Sequence, residues 1–384
     1  MISNFSFYLP TKAYFGKGQI ATLATAIPKT ARILLTYGGG SIKKNGVFEQ
    51  VQQALQAHFY IEFGGIEANP EYETLMKAVE LVRKEKLDFI LAVGGGSVLD
   101  GSKFIAAAVP FDGEPWDIPY KKAPISTALP IGCVLTLPAT GSEMNHRAVV
   151  SRRATQDKVS LYSDLIRPQF AILDPTTTFS LPVSQTANGV VDAFVHTLEQ
   201  YATYPVNGKI QDRFAEGVLL TLLEDGPKLL DNPMDYDARA NVMWAATQGL
   251  NDILSVGVPG DWSSHAIGHE LTAVYGLDHA QTLAIIVPAL FTHQIENKRD
   301  KLTQMAQRVF NYQGDSSQAA EFAVQKTREF FEQMGLKTRF SDLGIDDSQF
   351  PLVLQKLAEH RPQAIGEHKN IDNYVAKQIL YMAL

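Results

Sequence analysis

The chain has 384 residues, 45% of them hydrophobic and 20% charged, enough apolar mass to bury sizeable cores in two domains sharing one cleft. Its 34 Lys and Arg against 41 Asp and Glu leave a formal charge of −7, which argues against nucleic acid or an anionic membrane as the main partner. A single cysteine, Cys133, excludes a disulfide framework or a cysteine-rich metal knot and fits a reducing, cytoplasmic compartment.

Met1 to Pro10 lack a basic stretch followed by an apolar core, so no signal peptide is expected. No apolar run approaches the roughly 18 residues needed to span a bilayer. The first regular signal is the apolar run Ala31–Tyr37, which stops at Gly38, Gly39 and Gly40. A helical pattern with Val47, Val51, Ala54 and Leu55 follows, then a strand-like stretch at His58–Phe63 and a helix over Tyr72–Lys84. Leu87–Val93 reads as a buried strand running into a second triplet, Gly94–Gly96, with a helix from Ser97. Pro130–Leu137 and Phe170–Leu173 read as further strands, separated by a polar stretch of hairpins and loops. Strands alternating with helices predict a parallel sheet covered on both faces.

After Asp174-Pro175 and Leu181-Pro182 the texture changes. Helical periodicities run over Thr186–Ala202, Gln211–Leu223, Ala238–Leu254, Ser264–Val274 and Lys301–Val309, with no convincing strand. The expected division is an α/β dinucleotide-binding domain over residues 1–180 and an all-helical domain over 181–384.

The junction at Gly94–Ser97 suits a pyrophosphate. Glycines admit close backbone approach, and the first N–H groups of the next helix are donors at its positive end. The pattern is not the G-x-G-x-x-G fingerprint, and a ligand-free turn can also carry a glycine triplet. After the first triplet come Ser41, Lys43 and Lys44 with no carboxylate in the segment, where dinucleotide folds often place an acid for the ribose 2′-hydroxyl. A 2′-phosphate would instead meet a hydroxyl, free N–H groups and two cations, which favours NADP over NAD.

In the second half, Asp192 and His196 are spaced i, i+4, as are His265 and His269, and His279 follows a short turn. One carboxylate and several imidazoles suit zinc or ferrous iron. The order His265, His269, Glu270 is not the HExxH of metalloproteases. His58, His293, His360 and His368 are isolated and read as ordinary packing or surface residues; His146-Arg147 reads as an exposed loop pair.

These residues resemble the iron-dependent (group III) alcohol dehydrogenase family, and within it the NADPH-dependent aldehyde reductase and butanol dehydrogenase branch. The resemblance runs from Phe15–Gly18 to the last helices. It is most specific from Ile172–Pro175 through Leu181-Pro182 to Ala187, Gly189, Asp192–Phe194 and Glu199, and includes Ala92–Asp100 and Thr136–Glu143. It implies a Rossmann-like α/β domain followed by an all-α domain, the architecture shared with dehydroquinate synthase. It also implies a metal, Fe2+ or Zn2+, on Asp192, His196, His265 and His279, with His269 beside the nicotinamide and the reacting oxygen. Cofactor positions carry over to Asn69, Gly95, Gly96, Ser97, Asp100, Thr136, Thr140 and Lys158, and to Gly39, Gly40 and Ser41 near the adenosine ribose. Two places depart from the family pattern: Asp278-His279-Ala280 where Pro-His-Gly is usual, and the bulkier Met144–Arg147.

The expected activity is reversible reduction of short- to medium-chain aldehydes by NADP(H), in a homodimer whose N-terminal stretch Phe5–Lys17 pairs between subunits. An apolar pocket near Phe194, Phe214 or Trp262 would favour small alkyl aldehydes. The alternatives are a carbocycle-forming lyase of the dehydroquinate synthase type, an NAD-linked polyol dehydrogenase, and a catalytically silent scaffold.

Overall fold

A computed structural model describes residues 1–384. The chain divides into two compact units: Tyr8–Leu181 with Pro233–Met243, and Met1–Phe7 with Pro182–Asn232 and Trp244–Leu384.

The first is α/β. In chain order it carries β1 (Lys12–Phe15), α1 (Leu23–Ala26), β2 (Arg32–Thr36), α2 (Val47–Ala54), β3 (Phe59–Phe63), α3 (Tyr72–Glu85), β4 (Phe89–Gly95), α4 (Gly96–Ala108) and α5 (Asp117–Tyr120). Then come β5 (Ile131–Leu137), β6 (Arg147–Arg152), β7 (Asp157–Tyr162) and β8 (Phe170–Leu173). Six strands form one sheet in the order β1-β8-β5-β4-β2-β3, parallel throughout. β6 and β7 make a separate antiparallel hairpin in the stretch expected to hold hairpins and loops.

Alternating side chains of the central strands feed two cores, as a sheet buried on both faces requires. Leu34, Ile90, Ala92, Cys133 and Leu135 pack with α3 and α4; Ile33, Leu35, Leu91, Val93 and Val134 pack on the other face with Val47, Phe48 and Val51 of α2. Gly132 is forced by this packing. A Cβ there would lie 2.2 Å from the ring of Phe170, which stacks on Phe89 with centroids 6.2 Å apart.

The second unit is helical: α6 (Val183–Tyr201), α7 (Lys209–Asp225), α8 (Lys228–Asp231), the second part of α9 (Tyr236–Gly249), α10 (Ser263–Tyr275), α11 (His279–His293), α12 (Ile295–Arg308), α13 (Ala319–Gln333), α14 (Phe350–His360) and α15 (Asn373–Met382). α11 was not foreseen. It is apolar from Leu283 to Phe291, buried throughout that stretch, and contains Pro288, so it has no amphipathic stripe to read. It packs against α6, α10, α13 and α15, the central position such a helix needs. No helix is long and apolar enough to cross a membrane.

Candidate metal and cofactor sites

In the α/β unit the expected cofactor residues gather at the carboxyl ends of neighbouring strands, the usual ligand edge of a parallel sheet. Gly39, Gly40 and Ser41 follow β2, Gly95, Gly96 and Ser97 close β4 and open α4, Thr136 ends β5 with Thr140 just beyond, and Asn69 follows β3. The β4–β5 register slips between Gly94 and Gly95, so the strand breaks step where the helix begins. A Cβ on Gly95 would lie 2.9 Å from Leu137 Cβ, and one on Gly96 2.6 Å from Thr140. These glycines therefore let the loop after β5 close onto the first turn of α4. No side chain caps that turn.

Asn69 stands in the left-handed region at φ 57°, donates its N–H to Ser97 Oγ at 3.3 Å, and accepts from Lys158 Nζ at 2.9 Å. Asp100, one turn into α4, is half-buried. Its oxygens accept from Ser142 Oγ at 2.6 Å and Val149 N–H at 2.9 Å, and burial pushes its carboxyl above the ordinary range. It thus ties α4 to the loop after β5 and to the hairpin. Lys103, one turn further, is fully buried and donates to Asn145 O, Asn145 Oδ1 and Arg147 O at 2.9, 2.9 and 2.7 Å.

The loop after β2 differs from the expectation in one respect. Lys43 is paired with Glu62 at the end of β3, at 2.6 Å, and lies over the rings of Tyr37 and Phe48; Tyr37 OH also donates to Glu62 at 3.1 Å. A carboxylate is therefore present beside the loop, contributed by the neighbouring parallel strand. His146 is likewise no simple loop residue: its Nδ1 meets the Arg167 guanidinium at 3.0 Å.

In the helical unit α6 carries Asp192 and His196, α10 carries His265 and His269, and His279 opens α11. Asp192 Oδ1 is the common point: His196 Nδ1 and His279 Nε2 are each 3.7 Å from it and His265 Nε2 is 4.0 Å. Asp192, His265 and His279 each offer a ligand atom, all within 4.8 Å of one another. Donors at about 2.1 Å from a tetrahedral ion stand about 3.4 Å apart, so this cluster is close to ligand spacing. His196 lies beside the three, its ring stacked 4.6 Å from that of His265. The His269 ring is 5.3 Å from His279 and 6.3 Å from His265.

The donor set fits a metal. His265 Nε2 is buried and has no hydrogen-bond partner, a cost of about 1–3 kcal/mol that coordination would remove. Its other nitrogen, Nδ1, contacts Glu199 Oε2, and Glu199 Oε1 accepts the Ser264 N–H at 2.8 Å. In the sequence Glu199 stands out only as part of the family pattern, though its spacing of i+7 from Asp192 and i+3 from His196 is the signal for a shared helix face.

The residues expected to shape an apolar pocket separate. Phe194 is fully buried against Phe330 and Phe331 of α13, and Phe214 is 47% exposed. Only Trp262 lies near the cluster, its ring 5.6 Å from His265 and 6.3 Å from His196, on a backbone at φ 60°. The remaining histidines make structural contacts: His58 with Ile27 O, His293 with Gln378, His368 with Tyr204, and His360 in a buried pair with Glu270.

Residues 10–175 match the family model described as iron-containing alcohol dehydrogenase, and residues 186–382 match that of the Fe-containing alcohol dehydrogenase family, C-terminal. The NADPH-dependent aldehyde reductase YqhD of Escherichia coli K12 is 56% identical over 98% of this chain and 99% of its own. Its crystal structure matches with a TM-score of 0.98, covering 100% of this chain and 99% of that one. NADP-dependent alcohol dehydrogenase 3 of Entamoeba histolytica is 41% identical over 98% of each chain. The crystal structure of NADH-dependent butanol dehydrogenase A from Thermotoga maritima matches with a TM-score of 0.95 and 34% identity, covering 100% of this chain and 99% of that one. With both models matched along nearly its whole length, the chain belongs to the iron-containing alcohol dehydrogenase family.

Proposed function

We propose that the chain is a metal-dependent, NADP(H)-linked aldehyde reductase acting on short- to medium-chain aldehydes. The observation that carries the reading is the convergence of Asp192 with His265 and His279, with His265 Nε2 left bare inside it. Asp192, His196, His265 and His279 would hold Fe2+ or Zn2+, which when bound supplies Lewis-acid polarisation of a carbonyl oxygen. NADPH supplies the hydride. Gly39, Gly40, Ser41, Asn69, Gly95, Gly96, Ser97, Asp100, Thr136, Thr140 and Lys158 are assigned to its binding. The lean towards NADP is supported by YqhD and the Entamoeba enzyme, whose names carry NADPH and NADP; the Thermotoga relative is named for NADH.

In the reduction, hydride forms the new C–H bond, the carbonyl π pair moves onto oxygen, and a proton completes the alcohol. His269 is assigned to hold that proton beside Asp192, His265 and His279, since an imidazole can both give and take one. Trp262 stands beside the cluster, next to His196 and His265. The cytoplasm and a homodimer complete the reading. β1 at the sheet edge and the exposed Phe5, Phe7 and Tyr8 nearby in sequence support the dimer.

The test is oxidation of NADPH with butanal, before and after treatment with a chelator. Net, chelator-sensitive NADPH consumption is expected, with lower catalytic efficiency for NADH. A lyase would recycle its nicotinamide and a scaffold would consume none, so no net oxidation refutes the proposal. Equal efficiency with NADH, or a preference for it, removes the NADP assignment.

A further inference from the structure

We propose that Glu199 is a positioning residue for the metal: it fixes the ring orientation and the tautomer in which His265 presents Nε2 as a ligand. The inference rests on the metal-site reading above.

Glu199 lies on the same face of α6 as Asp192 and His196, two turns past the first, and its residue is 0% exposed. Both its oxygens are committed, Oε1 to the Ser264 N–H at 2.8 Å and Oε2 to His265 Nδ1. A carboxylate only accepts, so Nδ1 carries the imidazole proton and Nε2 keeps its lone pair. That lone pair is the buried, partnerless atom 4.0 Å from Asp192 Oδ1. A carboxylate behind a histidine in this way fixes ring orientation and raises the basicity of the ligating nitrogen.

The carboxylate is itself held. The Asp261 N–H donates to Glu199 O at 2.9 Å, and Asp261 accepts from the Ser263 N–H at 3.2 Å at the start of α10. Behind Asp261, the buried Lys298 pairs with it at 2.8 Å and with Glu367 at 2.8 Å, and donates to Ala202 O at 2.9 Å. The end of α6 and the start of α10 are therefore joined by backbone and charge around the Glu199–His265 contact.

Glu199→Gln is the discriminating change. If its NH2 faces His265 it donates to Nδ1 and moves the imidazole proton to Nε2, towards Asp192. If it faces Ser264 instead, two donors meet. Zn2+ affinity of the full chain, read by competition with a chelator, should fall about 10- to 100-fold. In a His265→Ala background, Glu199→Gln should cause no further loss. A Glu199 that merely caps α10 predicts the same fold-loss with and without His265, and that result overturns the proposal.

Histidine 15N spectra of the metal-depleted wild-type chain, assigned by difference with His265→Ala, provide a readout that does not need Glu199→Gln to fold. A pyrrole-type shift at Nδ1 and a pyridine-type shift at Nε2 are expected, and the opposite tautomer overturns the proposal. If the wild type retains no divalent ion, the metal-site reading falls and takes this inference with it. If the wild type binds Zn2+ and Glu199→Gln binds it equally well, this inference alone falls.

Discussion

Lys103 offers a quantitative test of how α4 is tied to the loop before β6. Its fully buried Nζ donates to two oxygens of Asn145 and to Arg147 O. Burial lowers its pKa from 10.5 to about 8, against the opposing pull of Asp100. Between those two pH values the unfolded chain keeps a proton that the folded chain has released, so this residue makes stability rise with pH. At 1.36 kcal/mol per unit, the rise amounts to about 3 kcal/mol between pH 8 and 10.5. In Lys103→Met that contribution is gone, while Asn145 O and Arg147 O lose this donor at a cost of about 1–3 kcal/mol each; Asn145 Oδ1 keeps the Arg147 N–H at 3.0 Å. The variant should therefore be less stable at pH 7, and the gap to wild type should widen by about 3 kcal/mol by pH 10.5. Urea unfolding followed by Trp116 fluorescence, in a Trp244→Phe, Trp262→Phe background, reads the α/β unit, where Trp116 is 6% exposed. A gap that is flat or narrows as pH rises would refute the reasoning.

Two further changes separate the assigned roles. His269→Ala should lower turnover by about 100-fold or more while bound metal stays near stoichiometric, and His265→Ala should lower both turnover and metal affinity; metal analysis beside kcat distinguishes them, and metal loss in His269→Ala would make His269 a ligand. Gly96→Ala places a methyl group 2.6 Å from Thr140 and should raise KM for NADPH about tenfold or more through displacement of that loop, with unchanged far-UV circular dichroism; an unchanged KM would show that the loop does not serve the cofactor.

The central strands were legible because each is a short apolar run ending at glycine or a polar turn, and their residues alternate between two cores. α11 was not, because burial on every side erases the period that marks a surface helix. At the metal cluster, the i, i+4 pairs Asp192/His196 and His265/His269 were visible as spacing. Their convergence on Asp192 Oδ1 is a product of packing among α6, α10 and α11, which no local pattern encodes. Glu62 shows the same limit from the other side. It lies far from Lys43 in sequence, and only the parallel register that sets Leu35 against Glu62 brings the carboxylate to the loop after β2. Phe194 shows a related limit: a phenylalanine between Asp192 and His196 still faces the other side of its helix, where Phe330 and Phe331 cover it.

The division of the chain into interleaved segments bears on how it can be made. The α/β unit takes in Pro233–Met243 as well as Tyr8–Leu181, and Met243 belongs to its buried core. On the ribosome, that core stays one piece short after its last strand has emerged, until α6, α7 and α8 have followed. The first seven residues wait longer still, since the Ser3 N–H bonds to Gly257 O at 2.9 Å in the helical unit. Synthesis from one end thus cannot finish either unit independently, and a fragment ending at Leu181 lacks part of its own core.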